Sequence, residues 1–121
     1  MTEEVADLGA AALARQVRNG ERSPTAVVEA TLSRIHDRND AINAFVTVCD
    51  ESARRHAQKI EAALDRGEDP GPLAGVPVGI KDLTNVASVP TSFGSVPLAD
   101  TVPDQDDVLV RRLREAGAVV V

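Results

Sequence analysis

Apolar residues recur at helical spacing through the first half of the chain and then lose that period. Over residues 8–19, Leu8, Ala12 and Val17 share a face, and Gly20 stands where a helix C-terminus favours glycine. The next start is marked twice. Ser23 is a capping residue, and Pro24 follows at the first helical position, where a missing N–H is tolerated. Val28, Leu32 and Ile35 then repeat at helical spacing up to about Asn39. Asn43 to Cys49 (NAFVTVC) has another texture: it is rich in β-branched residues, lies between Asp40 and Asp50, and predicts a strand or extended segment. A third helix is predicted with Asp50 as its cap. Ala53, Ala57, Ile60 and Leu64 form its apolar face, Arg54, Arg55, Lys59 and Glu61 its wet one, and Gly67 closes it.

After the turn-rich connector Glu68-Asp-Pro-Gly-Pro72 the pattern changes. Residues 73–103 carry Pro77, Pro90, Pro97 and Pro103 with Gly75, Gly79 and Gly94 and almost no charge, which excludes a long helix. Val76–Ile80 predicts a short apolar strand with Lys81 and Asp82 at its end, and residues 84–103 a long structured loop. Loops of this length within compact domains are functional or disordered, and the scarcity of charge argues against disorder. Asp104 to Asp107 place acids at the positive end of a last helix, with Leu109 and Leu113 at helical spacing and Gly117 as its stop. Ala118–Val121 then begins an apolar strand. A strand of that kind needs neighbours on both sides, so the chain is expected to be a truncated α/β domain whose terminal strand lacks the partners that would bury it, and to be marginally stable.

Length and composition narrow the function. At 121 residues the chain is sized for one small domain. Its 13 basic and 19 acidic residues leave a net charge of −6, which repels phosphate backbones. Phe45 and Phe93 are the whole aromatic complement, so a base-stacking platform is excluded as well. The single cysteine, Cys49, forms no internal disulfide, the acidic N-terminus is not a targeting peptide, and no apolar run approaches the ~20 residues needed to span a bilayer. These features predict a soluble, cytoplasmic protein with no nucleic-acid and no membrane partner.

Lys81 is the residue with the clearest chemical potential. It closes an apolar strand beside a Gly/Pro-rich loop, where it can face a cleft. Partial burial there disfavours an ammonium, and a lysine so tuned acts as a general base. On composition alone the competing reading, a solvated lysine or one paired with Asp82, is the stronger. Gly75, Gly79 and Lys81 do not match the phosphate-loop spacing G-x-x-x-x-G-K-S/T. His36, His56 and Cys49 are dispersed without ligand spacing, so no metal site is predicted and both histidines are expected on helix surfaces. Ser92 and Ser95 lie outside a G-x-S-x-G elbow and read as turn residues.

Residues 72–95, PLAGVPVGIKDLTNVASVPTSFGS, resemble the lysine-containing block of the amidase-signature family. The matching positions are Pro72, Leu73, Gly75, Val76, Pro77, Ile80, Lys81 and Asp82, followed by Pro90, Thr91, Ser92, Gly94 and Ser95. Downstream, Asp107, Val110, Leu113, Ala116, Gly117 and Ala118 fit a second block of the same family, and Asn43 to Val46 with the helices before them resemble its usual entry. Ordered blocks of this kind reverse the balance against Lys81. Ser88 stands where a glycine is common and Asn85 where an aspartate is common, two departures that bear on the turn geometry of the loop.

The resemblance implies an α/β fold, with residues 1–121 the N-terminal fragment of an amidase domain: helices followed by part of a central mixed sheet, ending before the family's Gly/Ser-rich signature. It implies hydrolysis of a C–N amide bond by a Ser–cis-Ser–Lys triad. One serine attacks the carbonyl to form an acyl-enzyme, a second relays protons and the lysine is the terminal base. Only Lys81 matches a triad member, so the chain alone is expected to be inactive. The implied partners are a small-molecule amide and no cofactor or metal, with a homodimer or association with the missing C-terminal part as the protein contact. A glutamine-amidase subunit of a tRNA-dependent amidotransferase and a non-catalytic acidic interaction domain are the alternatives.

Overall fold

The computed structural model describes residues 5–121. Its elements are α1 (Ala10–Arg18), α2 (Pro24–Ile42), α3 (Asp50–Asp65), β1 (Pro77–Val78), a 3-10 turn at Val96–Leu98, α4 (Val108–Glu115) and β2 (Val119–Val120). Three of these helices, α1, α3 and α4, stop in the same way. Gly20, Gly67 and Gly117 adopt left-handed φ of 75°, 74° and 93°. The residue after each glycine donates back five positions: Glu21 to Gln16, Glu68 to Ala63 and Ala118 to Leu113. That reverse turn satisfies helix carbonyls that would otherwise lack donors.

The start of α2 is equally specific. Ser23 accepts from the Ala26 N–H at 3.2 Å, and Pro24 is the first helical residue. Glu61 on α3 then reaches across to the Ser23 hydroxyl at 2.6 Å and the Thr25 hydroxyl at 2.5 Å, which fixes α2 against α3. These bonds hold the Glu61 carboxyl below its ordinary range. Two predicted starts shift by a residue or more. Cys49, not Asp50, precedes α3, and α4 begins at Val108 after Asp107, whose side chain makes no cap bond.

β1 and β2 pair in parallel, with Pro77 opposite Val119 and Val78 opposite Val120. Val119 N–H donates to Val76 O at 2.8 Å and Val121 N–H to Val78 O at 3.1 Å. Alternation along β2 then sorts the core. Val119 and Val121 face α1, α2 and α3, where Leu13, Val17, Val28, Leu32, Ala57 and Ile60 are buried with them. Val120 faces the other way, onto Val86 and Val110, with Val78, Ile80 and Val89 packed around. A parallel strand covered on both faces is the usual arrangement in α/β proteins.

Three expectations need correction. Asn43–Cys49 pairs with no strand among the described residues; it is irregular, and Asn39 holds it from the end of α2 by accepting from the Phe45 N–H at 2.8 Å and donating to the Phe45 carbonyl at 2.9 Å. The terminal strand does not lack cover: Val119 is 0% exposed, and Val120 and Val121 are buried with it. Leu109 is not a core position; it is 57% exposed, and Val110 next to it is the buried anchor of α4. The two described strands, β1 and β2, are parallel.

Gly117 is a tight point of the crossover into β2. A Cβ there would lie 2.6 Å from the Pro70 carbonyl oxygen and 2.9 Å from Ala74 Cα, both backbone atoms, on a residue with φ of 93°. Gly117→Ala is therefore expected to destabilise the protein by about 2–4 kcal/mol, read as a lowered urea midpoint with unchanged slope. Ser88, where a glycine would be unstrained, has φ of 63°. Ser88→Gly is expected to raise stability by about 0.5–1 kcal/mol in the same measurement.

Candidate functional site

The backbone from Gly79 to Asp82 leaves the sheet where β1 ends and lines a cavity of about 420 Å³. Phe45 and Cys49 form one wall, Val86, Val89 and Thr91 of the long loop another, and Val120 and Val121 of β2 contribute to the lining beside the strand end. Gly79 is part of the wall for a spatial reason: a Cβ there would meet the Phe45 ring at 3.4 Å.

Lys81 is exposed on this cavity, not partly buried as its position in the sequence predicts. Its backbone carbonyl accepts from Leu83 and Thr84 N–H at 2.7 and 3.0 Å, a tight turn that sets the direction of the chain after the strand. Among the described residues no carboxylate forms an ion pair with its amine. The neighbouring Asp82 is not its partner. That carboxylate accepts from the Ser92 N–H at 2.7 Å and from the Ser92 hydroxyl, and the two bonds hold it below the usual carboxylate range.

The loop 84–103 is tied at several points. Asn85 N–H donates to the Asp107 carboxylate at 2.8 Å, Ala87 N–H to Asp106 at 2.8 Å, and Asn85 O accepts from Asp107 N–H at 3.0 Å. Ser88 and Thr91 N–H donate to the carbonyls of Pro103 and Thr101 at 2.9 and 2.8 Å, closing the loop on itself. Thr91 is 2% exposed. The acids before α4 therefore serve as backbone acceptors for the loop. Asn85 takes part through its backbone alone, so the aspartate common at that position is not needed for these bonds.

The remaining candidates fall as follows. Ser92 directs its hydroxyl to Asp82 and also accepts from Gly94 N–H at 3.2 Å, which makes it a turn residue, as the sequence indicates. Ser95 lies before the 3-10 turn and does not line the cavity. Cys49 lines it, but burial pushes its thiol up and away from the reactive thiolate. His36 sits on the surface, 2.7 Å from Asp50. His56 departs from its predicted surface place: its Nδ1 is shut off from solvent with no partner among the described residues. Among the described residues no three His, Cys, Asp or Glu side chains converge on a metal position, and no helix is long and apolar enough to cross a membrane. The pair that sequence reasoning missed is Asp82–Ser92. Nine irregular residues separate the two, and irregular backbone has no period from which a contact can be read.

The burial of His56, with the cations of Arg114 and Lys59 nearby, pushes its imidazole below its ordinary pKa of 6.5. The unfolded chain then binds the proton more readily than the folded one, so the His56 contribution is complete above about pH 6.5 and is lost as pH falls towards the depressed folded value. The urea midpoint of the wild type is expected to drop between about pH 7 and 5, and His56→Gln to remove that part of the drop.

The family model for amidases matches residues 26–121. A glutamyl-tRNA(Gln) amidotransferase subunit from Salinispora tropica is 43% identical over 117 residues, which is 97% of this chain and 24% of that protein. The acylamidase of Rhodococcus erythropolis is 40% identical over 112 residues, 93% of this chain and 24% of that protein. Among solved structures, the native peptide amidase of Stenotrophomonas maltophilia superposes with a TM-score of 0.88 at 35% identity, over 96% of this chain and 24% of that one. The chain thus spans about a quarter of the length of these relatives.

Proposed function

The chain belongs to the amidase family, the amidase-signature enzymes, and from that premise we propose that Lys81 is the terminal base in hydrolysis of a C–N amide bond. Its helices and parallel strands are part of the α/β fold of those enzymes. The observation that carries the proposal is the place of Lys81: three residues beyond the end of the half-buried strand β1, exposed on a cavity of about 420 Å³, with no carboxylate paired to its amine among the described residues. A base must reach the hydroxyl it serves, and an amine not held by a carboxylate is free to do so across the cavity.

In this reading a serine attacks the amide carbonyl and becomes acylated, a second serine passes the proton on, and Lys81 takes it. A serine hydroxyl is a weak nucleophile until a base removes its proton, which is the work assigned to Lys81. Neither Ser92 nor Ser95 is placed to be that nucleophile. The serine pair and the oxyanion donors would come from polypeptide outside these 121 residues, through the same chain or a second copy, closing over the cavity. The substrate is a small-molecule amide. The charge of −6 speaks against a nucleic-acid substrate, and the lone Cys49 fits a cytoplasmic setting.

A second reading, the glutamine-amidase component of a tRNA-dependent amidotransferase, is favoured by the 43% identity to the Salinispora tropica protein. It requires partner chains. Their failure to co-purify with the protein that carries this segment would remove it.

Lys81→Ala, in the protein that joins this segment to a serine signature, is expected to lower kcat/KM for acyl p-nitroanilides or glutamine by about a hundred- to ten-thousand-fold. Lys81→Arg should fall as far, because a guanidinium stays protonated. Wild-type turnover by Lys81→Ala would sink the assignment. The purified 121-residue chain by itself is expected to show no turnover. Hydrolysis by it that disappears in Lys81→Ala would show that the nucleophile lies within these residues, and a non-catalytic binding role would be excluded with it.

A further inference from the structure

Lys81 and Asp82 are adjacent in sequence, opposite in charge, and both line the same cavity. Such neighbours would be expected to neutralise each other, yet the Asp82 carboxylate is committed elsewhere. One oxygen accepts from the Ser92 N–H at 2.7 Å and the other from the Ser92 hydroxyl. Ser92 belongs to the turn 91–94, which begins at the buried Thr91 and contains Phe93 at φ of 54° and Gly94 at φ of 70°. Among the described residues these two bonds are the hydrogen bonds that join this turn to the strand end bearing Lys81. The loop's other ties run to Asp106, Asp107 and its own carbonyls.

We propose that Asp82 is a positioning residue for Lys81: by accepting both donors of Ser92 it clamps the strand end to the turn 91–94 and leaves the neighbouring amine without a counter-ion on the cavity. The two effects come from one bond pair. A carboxylate satisfied by a backbone N–H and a hydroxyl has little to gain from an exposed ion pair, whose worth is at most about 1 kcal/mol. A carboxylate with one oxygen free would turn to the nearest cation in the chain, the ammonium of Lys81. The proposal rests on Lys81 being the base, since only a proton-accepting role requires an unpaired amine.

The test reads the amine directly and needs no substrate. The sequence has two lysines, Lys59 and Lys81, so Lys59 on α3 is an internal standard. Limiting acetic anhydride is applied to the full chain at one fixed, mildly alkaline pH, and the Lys81-to-Lys59 acetylation ratio is measured by peptide mass spectrometry. Ser92→Ala frees one Asp82 oxygen, and the ratio is expected to fall about threefold or more as the amine becomes paired. Ser92→Thr keeps the hydroxyl and should keep the ratio. The double variant Ser92→Ala/Asp82→Asn removes the freed charge and should restore it. A loosened loop with no electrostatic role for Asp82 would move both alanine variants alike. An unchanged ratio in Ser92→Ala, or no recovery in the double variant, overturns the proposal. The base assignment fails separately, if Lys81→Ala retains amide turnover while the acetylation ratios behave as expected.

Discussion

Two backbone hydrogen bonds, from Val119 N–H to Val76 O and from Val121 N–H to Val78 O, hold β1 and β2 in parallel register. The same zipper begins before the strands, where Leu73 N–H donates to Ala116 O at 2.7 Å and Gly75 N–H to Gly117 O at 2.9 Å. Because side chains alternate along a strand, a slip of one residue would exchange Val119 and Val121 for Val120 and turn both cores inside out. Register here therefore decides which valines meet the helices, which meet the loop, and where Lys81 emerges three residues beyond Val78.

The second constraint is the supply of acceptors to a long irregular segment. Backbone N–H groups without ladder partners must bond to something. Between residues 84 and 95 three aspartates meet part of that need: Asp107 for Asn85, Asp106 for Ala87 and Asp82 for Ser92. Two come from the approach to α4 and one from the end of β1, so the loop is stitched to both elements that flank it. The acidic balance of the chain is thus partly structural. Asp106 also pairs with Arg114 at 3.1 Å, which joins the loop to the last turn of α4. The cavity wall inherits its shape from these bonds, with Val86 and Val89 carried into the second core between them.

Much of this is legible in the sequence where local chemistry is decisive. Ser23 and Pro24 begin a helix, and Gly20, Gly67 and Gly117 end three, because capping and left-handed φ depend on residues within one turn. The short strand before Lys81, predicted over Val76–Ile80 and formed at Pro77–Val78, the long loop and the family to which the chain belongs are equally open to reading. Asn43–Cys49 departs from its predicted strand for a reason that lies outside the segment: its β-branched composition suits a strand, but the side chain of Asn39 takes the hydrogen bonds of Phe45 that a neighbouring strand would have taken. Leu109 and Val110 exchange places because one step on a short helix rotates a residue by about 100°, and only packing against β2 and the loop selects the buried position.

The sequence by itself determined most of the helices and their stops, the amidase-signature membership and the identity of Lys81 as the residue of interest. All of these follow from residue types at short spacing. Only the tertiary structure decided the surroundings of that lysine. It set Lys81 exposed on a cavity instead of partly buried, turned Asp82 towards Ser92 instead of towards its neighbour, and buried the terminal valines between two layers. Those outcomes depend on contacts between segments distant along the chain, and no local pattern encodes which far carboxylate, wall or strand will arrive.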